Sequence, residues 1–303
     1  MIAAASRRWD GPMRRTFFPL PLVVLLLATN TVAQDNASAG SFAPLETWRA
    51  AVLAGDAAAL KAHYSGNPPA TVATPAGKST DVSAEVQFWT AMKATGLRAV
   101  AISEMNQQAS GDTAEQTIFQ TTLTTQSKDR GLRKLYVSVG LLWQKQGDAW
   151  RIVASQRNDP ARLPQPLSPK KDLYPADADA NAEIRAALAR AASGHKHVLL
   201  VFGGNWCYDC HVLEAAFHTA EITPLLTRWY EVVHVDIGEY DKNLDFADRY
   251  EVPLKKGVPA VAVLESDGKL LYSQKGGEFE KARSMGPEEI VAFLQRWKPA
   301  PGK

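Results

Sequence analysis

The stretch HVLLVFGGNWCYDCHVLEAAF, from His197 to Phe217, holds both cysteines of this 303-residue chain. Cys207 and Cys210 are separated by two residues, and a histidine follows directly. The continuous apolar run before the cysteines is typical of a buried central strand, and the spacing of apolar residues after them indicates a helix. The stretch therefore predicts a pair of thiols at the point where a core strand ends and a helix begins.

This placement predicts redox chemistry. A helix N-terminus presents backbone N–H groups without intrahelical partners and the positive end of the helix dipole. Both stabilise a thiolate, so we expect a lowered pKa and a nucleophilic role for Cys207. Cys210 lies one turn further along the helix and can attack the mixed disulfide, which releases the partner. A disulfide across so short a loop adds little stability, so redox exchange explains the pair better than a structural role does.

The elements around this stretch alternate between helix and strand. ADANAEIRAALARAASG predicts a helix before it, and YEVVHVDIG and LDFADRYEV predict a strand and a helix after it. PAVAVLESDGKLLYSQ predicts a β-hairpin that turns at Asp267-Gly268. GPEEIVAFLQRW predicts a final helix that begins near Gly286-Pro287. The resulting order is α-β-α-β-α-β-β-α.

That order, WCYDC after an apolar strand, and GVPA about fifty residues later resemble exported bacterial proteins of the thioredoxin family. The resemblance covers 176–300 and implies an α/β thioredoxin-like domain that acts on protein thiols and disulfides. It also implies that Pro259 is a cis-proline beside the dithiol, and that Val258 and Pro259 offer the partner chain a backbone edge. Trp206 would shield one side of the dithiol.

Three positions depart from the thioredoxin pattern. Tyr208 and Asp209 stand where thioredoxins have Gly-Pro, and a carboxylate beside Cys207 is expected to disfavour its thiolate and weaken the reduced form. Val201 stands where many thioredoxins bury an aspartate. Glu214, one turn after Cys210, is the predicted substitute for passing a proton to the resolving thiol.

His211 completes a C-x-x-C-H string, which is also the attachment motif of a c-type haem. In that interpretation His211 would bind the iron. The motif lies directly after a core strand, however, which leaves little room for a macrocycle. A zinc site would need four ligands, and this spacing is not a common one. We therefore expect neither a cofactor nor a metal, and interpret His211 as a residue of the first helical turn.

The residues before the redox stretch predict a second domain of another class. Helical patterns near 44–65 and 81–96 are followed by four alternating segments between 98 and 159, rich in Thr, Val and aromatic residues. Helices followed by a long antiparallel sheet resemble the cone-shaped α+β fold of ketosteroid-isomerase-like, or SnoaL-like, proteins over 42–158. The segment 159–175 has five prolines and predicts a linker.

Ionisable residues of this first domain form no convincing catalytic set. The candidates are His63, Tyr64, Asp81, Glu85 and Glu104. No spacing pairs them, and the fold alone does not decide between catalysis, ligand binding and dimer formation. We expect a structural or partner-binding role, including a homodimer through this domain. The aromatic residues are expected in the core or a dimer contact, namely Trp48, Phe88, Trp89 and Trp143.

The N-terminus predicts export. Arg14 and Arg15 precede an apolar run from Phe17 to Ala28, and TVA follows at 31–33. This is the pattern of a cleaved secretory signal peptide, 1–33, and the run is shorter than a membrane-spanning helix. A net charge of +2 gives no reason to expect nucleic acid as a partner.

The sequence as a whole predicts a periplasmic thiol-disulfide oxidoreductase that reduces partner proteins and draws electrons from a membrane-bound donor. Two other interpretations stay open. The chain could be a binding protein with a redox-sensitive clip, or an oxidase or isomerase of the same fold.

Overall fold

The computed structural model describes residues 42–128 and 131–300. The predicted signal peptide, 1–33, lies outside the described residues. No helix in this described part of the chain is both long and apolar enough to cross a membrane.

The first domain is an α+β structure built on one six-stranded sheet with the order β2-β1-β6-β5-β4-β3. Its elements are α1 (Ala43–Ala54), α2 (Ala57–His63), β1 (Thr71–Thr74), β2 (Gly77–Ser79), α3 (Ser83–Ala94), β3 (Leu97–Ser110), β4 (Ala114–Ser127), β5 (Gly131–Gln146) and β6 (Ala149–Arg157). Strands β3 to β6 pair antiparallel as predicted. The helices-then-sheet architecture confirms the cone-shaped α+β class expected for this region.

Two details of the first domain were not predicted. The Pro- and Gly-containing stretch before α3 forms the β1–β2 hairpin, and β1 pairs parallel with β6. The pairing of β3 with β4 shifts register between Ser103 and Asn106, and such irregularities bend and twist long strands.

Aromatic side chains fill the core of the first domain. Trp48, Trp89 and Trp143 are fully buried, and the Trp48 ring meets Trp89 edge to face with the ring centroids 5.0 Å apart. Phe88 is partly buried beneath the Arg157 guanidinium, 3.5 Å from its ring centroid. These tryptophans are therefore core residues, which was one of the two places expected for them, the other being a dimer contact.

The proline-rich segment 159–175 is not a free spacer. Ala161 forms a β-bridge with Tyr136 of β5, and Leu163 packs in the core of the second domain. Tyr174, near its end, is completely buried in that domain. The segment is thus anchored at both ends by backbone pairing and by apolar burial, which composition alone does not reveal.

The second domain carries a four-stranded sheet with the order β10-β9-β7-β8. Its elements are α4 (Ala180–Gly194), β7 (His197–Gly203), α5 (Tyr208–Phe217), α6 (Thr223–Trp229), β8 (Tyr230–Asp236), α7 (Leu244–Arg249), β9 (Ala260–Leu264), β10 (Leu270–Ser273) and α8 (Pro287–Arg296). Strands β7 and β8 are parallel, whereas β9 is antiparallel to β7. The order matches the prediction, with the helix after the cysteines divided into α5 and α6.

Strand β7 is buried on both faces because its alternate side chains enter two different cores. Leu200 and Phe202 pack with α4 and α7, while Leu199 and Val201 pack with α5, α6 and α8. This explains the continuous apolar run in the sequence. The two-sided burial places the end of β7, and the loop that carries the cysteines, on a rigid frame.

Candidate redox site at the N-terminus of helix α5

Cys207 and Cys210 form a disulfide at the start of α5. Cys207 is the N-cap residue, and its Sγ accepts a hydrogen bond from the Cys210 backbone N–H at 3.1 Å. The two cysteines are only 5% and 1% exposed. The sulfur of Cys207 therefore lies at the positive end of the helix dipole, while Cys210 faces the protein interior.

The peptide bond between Val258 and Pro259 is cis. Val258 O lies 3.5 Å from Cys207 Sγ. The loop before β9 therefore lies directly against the outer cysteine, in the place that the sequence resemblance implied for Pro259.

Trp206, just before the disulfide, has 47% of its surface exposed. Its indole Nε1 donates a hydrogen bond to Gly238 O at 2.7 Å, and its ring lies 5.5 Å from that of Tyr240. The indole is thus held in a fixed orientation beside the cysteines by the loop after β8. An exposed but fixed aromatic surface next to a reactive sulfur is suited to contact with a partner protein.

Asp209 does not present a free negative charge to Cys207, contrary to the expectation from its position. Its carboxylate accepts hydrogen bonds from the backbone N–H of Arg283 at 2.8 Å and from the Arg283 guanidinium at 3.0 Å. The guanidinium also lies 5.1 Å from the ring centroid of Tyr208. Arg283 therefore compensates the charge of Asp209 and fixes both residues between the cysteines. Arg283 belongs to GGEFEKARSMG, the stretch before α8, to which the sequence assigned no catalytic role.

Glu214 is not arranged as the predicted proton donor to Cys210. One carboxylate oxygen accepts from His218 Nε2 at 2.8 Å, and the other lies 3.1 Å from His234 Nε2. Burial alone would raise the pKa of Glu214, but hydrogen bonds and charge from His234, and then His218, outweigh it and lower the pKa to about 2. A carboxylate with so low a pKa holds no proton at neutral pH, so these contacts favour a structural ion cluster.

His211 is buried. Its Nε2 lies 2.9 Å from the carbonyl oxygen of Asn205, and its Nδ1 has no hydrogen-bond partner among the described residues. The imidazole thus supports the loop that leads into Cys207. His211 lies in the first turn of α5, as the sequence predicted, and is buried there.

Besides Arg283, the sequence did not identify Asn205 and Tyr174 as residues of this site. The side-chain amide of Asn205 pairs with the backbone of Tyr174, accepting from its N–H at 2.9 Å and donating to its carbonyl oxygen at 2.8 Å. This places Tyr174, from the supposed linker, behind the disulfide. The only signal was an apolar aromatic pair, Leu173-Tyr174, in a stretch otherwise rich in proline and lysine.

The candidates in the first domain are dispersed or structural. Asp81 is exposed and caps the turn before α3 by accepting from the Ser83 N–H at 2.9 Å. Glu85 is buried, where it accepts from Trp89 Nε1 at 2.6 Å and pairs with Arg157 at 2.8 Å.

His63 and Tyr64 end α2. Burial, reinforced by the charge of Arg151, lowers the pKa of His63, and burial raises the pKa of Tyr64. The side chain of Glu104 lies outside the described part of the chain. His63 meets the Trp143 ring edge to face with the centroids 6.0 Å apart, and Tyr64 is buried in the same core.

Residues 179–266 match a family model described as thioredoxin-like. A solved structure of a disulphide isomerase from Xylella fastidiosa Temecula1 is 41% identical, and the match covers 41% of this chain and 95% of that chain with a TM-score of 0.40. The chain belongs to the thioredoxin-like family through its C-terminal domain.

Further matches concern the first domain. A calcium/calmodulin-dependent protein kinase II association domain from Xanthomonas campestris is 14% identical, with 38% of this chain and 82% of that chain covered and a TM-score of 0.34. An NTF2-like protein from Rhodospirillum rubrum is 18% identical, with 38% and 93% covered and a TM-score of 0.30. No curated protein is significantly similar to this chain.

Proposed function

We propose that this protein is an exported thiol-disulfide oxidoreductase that reduces disulfides of other proteins in the periplasm. The observation that carries the proposal is the Cys207–Cys210 disulfide, which caps α5 and lies against the cis Val258–Pro259 bond. The thioredoxin-like domain supports exchange with protein thiols and disulfides as the class of reaction.

Reduction of the partner disulfide proceeds in two exchange steps. The Cys207 thiolate attacks one sulfur of the partner disulfide, which forms a mixed disulfide and releases the other partner sulfur as a thiolate. The Cys210 thiolate then attacks Cys207 Sγ, which restores the Cys207–Cys210 disulfide and releases the second partner thiolate. Two electrons have passed to the partner, and the protons lost by the two cysteines reach the partner thiolates through solvent.

Reduction of the partner is the direction that burial favours. Cys207 and Cys210 are almost completely removed from water, and burial in apolar surroundings disfavours a thiolate. A less stable reduced form gives electrons away more readily. Because Asp209 is paired with Arg283, burial rather than the Asp209 charge supports this direction. The periplasm then requires a membrane-bound donor that reduces the pair again.

The equilibrium of the pair with glutathione in defined redox buffers tests this direction. A potential near that of thioredoxin, about −270 mV, supports reduction, and one near −120 mV would instead assign the protein to disulfide donation. If no reversible couple exists, the oxidoreductase proposal is wrong and the chain acts as a binding protein.

Partner capture tests the roles of the two cysteines. Cys210→Ala leaves the attacking thiol without its resolving thiol, so mixed disulfides with partner proteins and with the electron donor should accumulate. Cys207→Ala is the matched control and should capture far fewer. Equal capture by both variants would contradict the assignment of Cys207 as nucleophile.

Export is tested on the mature protein. Cleavage of the predicted signal peptide should give a periplasmic protein whose N-terminus is Gln34, measured by mass spectrometry of the fractionated cell. An intact N-terminus in the cytoplasm would contradict the proposed location.

A further inference from the structure

The resolving cysteine has a tyrosine hydroxyl beside it that the exchange steps do not use. Tyr174 is 0% exposed. Its hydroxyl has no hydrogen-bond partner among the described residues. A buried polar group without a partner is costly, so its persistence needs an explanation.

Gly203 shows how close this hydroxyl lies to the disulfide. A Cβ atom at position 203, the last residue of β7, would come within 3.0 Å of both Tyr174 Oη and Cys210 Sγ. The hydroxyl and the sulfur therefore flank the same glycine. The absence of a side chain there keeps the space between them open.

The position of the ring is fixed independently of the disulfide. Asn205 holds the backbone of Tyr174 by two hydrogen bonds, and the ring packs edge to face against His234 with centroids 5.3 Å apart. The charged groups that act on the hydroxyl are the carboxylates of Glu214 and Asp236. Burial, and then these two charges, raise the pKa of Tyr174, so the phenol keeps its proton and is available as a hydrogen-bond donor.

We propose that the Tyr174 hydroxyl donates a hydrogen bond to Cys210 Sγ in the reduced protein and thereby shifts the redox equilibrium of the pair towards the dithiol. The proposal rests on the proposed redox function of Cys207 and Cys210. A disulfide sulfur is a poor acceptor, whereas a thiolate is a strong, charged one. The hydroxyl thus gains a partner only when the disulfide is reduced.

Reduction of the disulfide takes no proton from Tyr174. Reduction of the disulfide consumes two electrons from the donor and two protons from solvent, and it gives two thiols, of which Cys210 can ionise. Tyr174 retains its O–H bond in every state. When the Cys210 thiolate attacks Cys207 Sγ, the hydrogen bond is released as the sulfur becomes part of the disulfide again.

Tyr174→Phe is the direct test because it removes the hydroxyl and leaves the ring against His234. The equilibrium constant with glutathione should move about tenfold towards the disulfide, which corresponds to a potential about 30 mV more negative. The pKa of the Cys210 thiol, followed by thiolate absorbance in a Cys207→Ser background, should rise. Loss of a merely structural contact would move neither quantity.

Tyr230→Phe is the matched control in the same domain. Tyr230 is also buried, but its hydroxyl donates to Leu294 O at 2.8 Å, in the core on the opposite face of the sheet. This variant should lose thermal stability and keep the potential of the wild type. A variant that places 3-fluorotyrosine at position 174 strengthens the donor, keeps the ring, and should move the potential in the opposite direction to Tyr174→Phe.

An unchanged potential in Tyr174→Phe and in the fluorotyrosine variant would overturn the inference and leave the proposed function intact. A wild-type protein without any reversible couple would instead overturn the proposed function itself. Opposite shifts in the two variants, with Tyr230→Phe unchanged, would support the role of Tyr174.

Discussion

Each domain contains a buried carboxylate that is paired with an arginine, and the two pairs have different roles. In the first domain Glu85 and Arg157 are both almost fully buried, and the carboxylate also accepts from Trp89. In the second domain Asp209 is buried, whereas the Arg283 side chain is 54% exposed. The first pair joins α3 to β6 inside a core, and the second fixes the two residues between the cysteines. The same chemistry therefore serves architecture in one place and a reactive loop in the other.

The largest expected effect comes from breaking the buried pair. Glu85→Ala leaves the Arg157 guanidinium uncompensated in the core, which should lower the free energy of unfolding by about 3 kcal/mol. Urea denaturation measures this change. Glu46→Gln, which breaks the more exposed pair with Arg49 in the same domain, should cost less than about 1 kcal/mol. Neither variant should change the redox potential. An equal loss of unfolding free energy in Glu85→Ala and Glu46→Gln would contradict the structural role of the buried pair.

The Glu214 carboxylate in the second domain is expected to make a smaller contribution to the free energy of unfolding, and this contribution depends on pH. The pKa of Glu214 is depressed from 4.5 to about 2, so its contribution is fully present above about pH 4.5 and is lost as the pH falls towards 2. The depression corresponds to about 3 kcal/mol. We expect about 2 kcal/mol because the His218 side chain is mostly exposed and solvent screens its charge.

Glu214→Gln tests this value. Unfolding measured between pH 7 and pH 2 should lose that part of its acid dependence, whereas Glu265→Gln, at an exposed pair with Lys269, should keep it. An unaltered acid profile in Glu214→Gln would contradict the assignment of Glu214 to an ion cluster.

The smallest stability effect, and the most informative one, concerns the pair at the dithiol. Asp209→Asn leaves the positive charge of Arg283 near Cys207, which favours the thiolate and should raise the reduction potential by up to about 30 mV. Arg283→Gln leaves the Asp209 carboxylate uncompensated and should lower the potential by a similar amount.

Both changes should alter stability by only about 1 kcal/mol because the guanidinium is half exposed. Equilibration with glutathione measures the potentials, and Arg162→Gln, which breaks a pair between the proline-rich segment 159–175 and Glu288 of α8, is the control. Shifts of the same sign in Asp209→Asn and Arg283→Gln would show that electrostatics does not set the potential.

Local pattern predicted most of the architecture. Strand β7 was recognisable because burial on both faces demands a continuous apolar run, and the hairpin after Ala260 because Asp267-Gly268 suits a tight turn. The β1–β2 hairpin was missed because its strands are three and four residues long and one is fully exposed. Such strands carry no apolar alternation, so their pairing with β6 is decided by the sheet they join.

The residues of the candidate site could also be predicted only in part. Cys207 and Cys210 could be predicted because reactivity at a helix N-terminus depends on residue type and close spacing, whereas the loop at Pro259 was implied only by the resemblance to the thioredoxin family. The proton-donor role of Glu214 was not supported, because helical spacing places a side chain but does not identify its partners. Those partners, His218 and His234, come from the end of the helix and from another strand.

By itself the sequence determined that a dithiol follows a core strand in an α/β domain, because adjacent residues and their periodicity specify local structure. Only the tertiary structure decided the environment of that dithiol. Arg283 lies 74 residues after Asp209, and Tyr174 lies 31 residues before Asn205. The charge and the hydrogen bonds that a sulfur experiences are set by distance in space, and folding brings these distant residues to it.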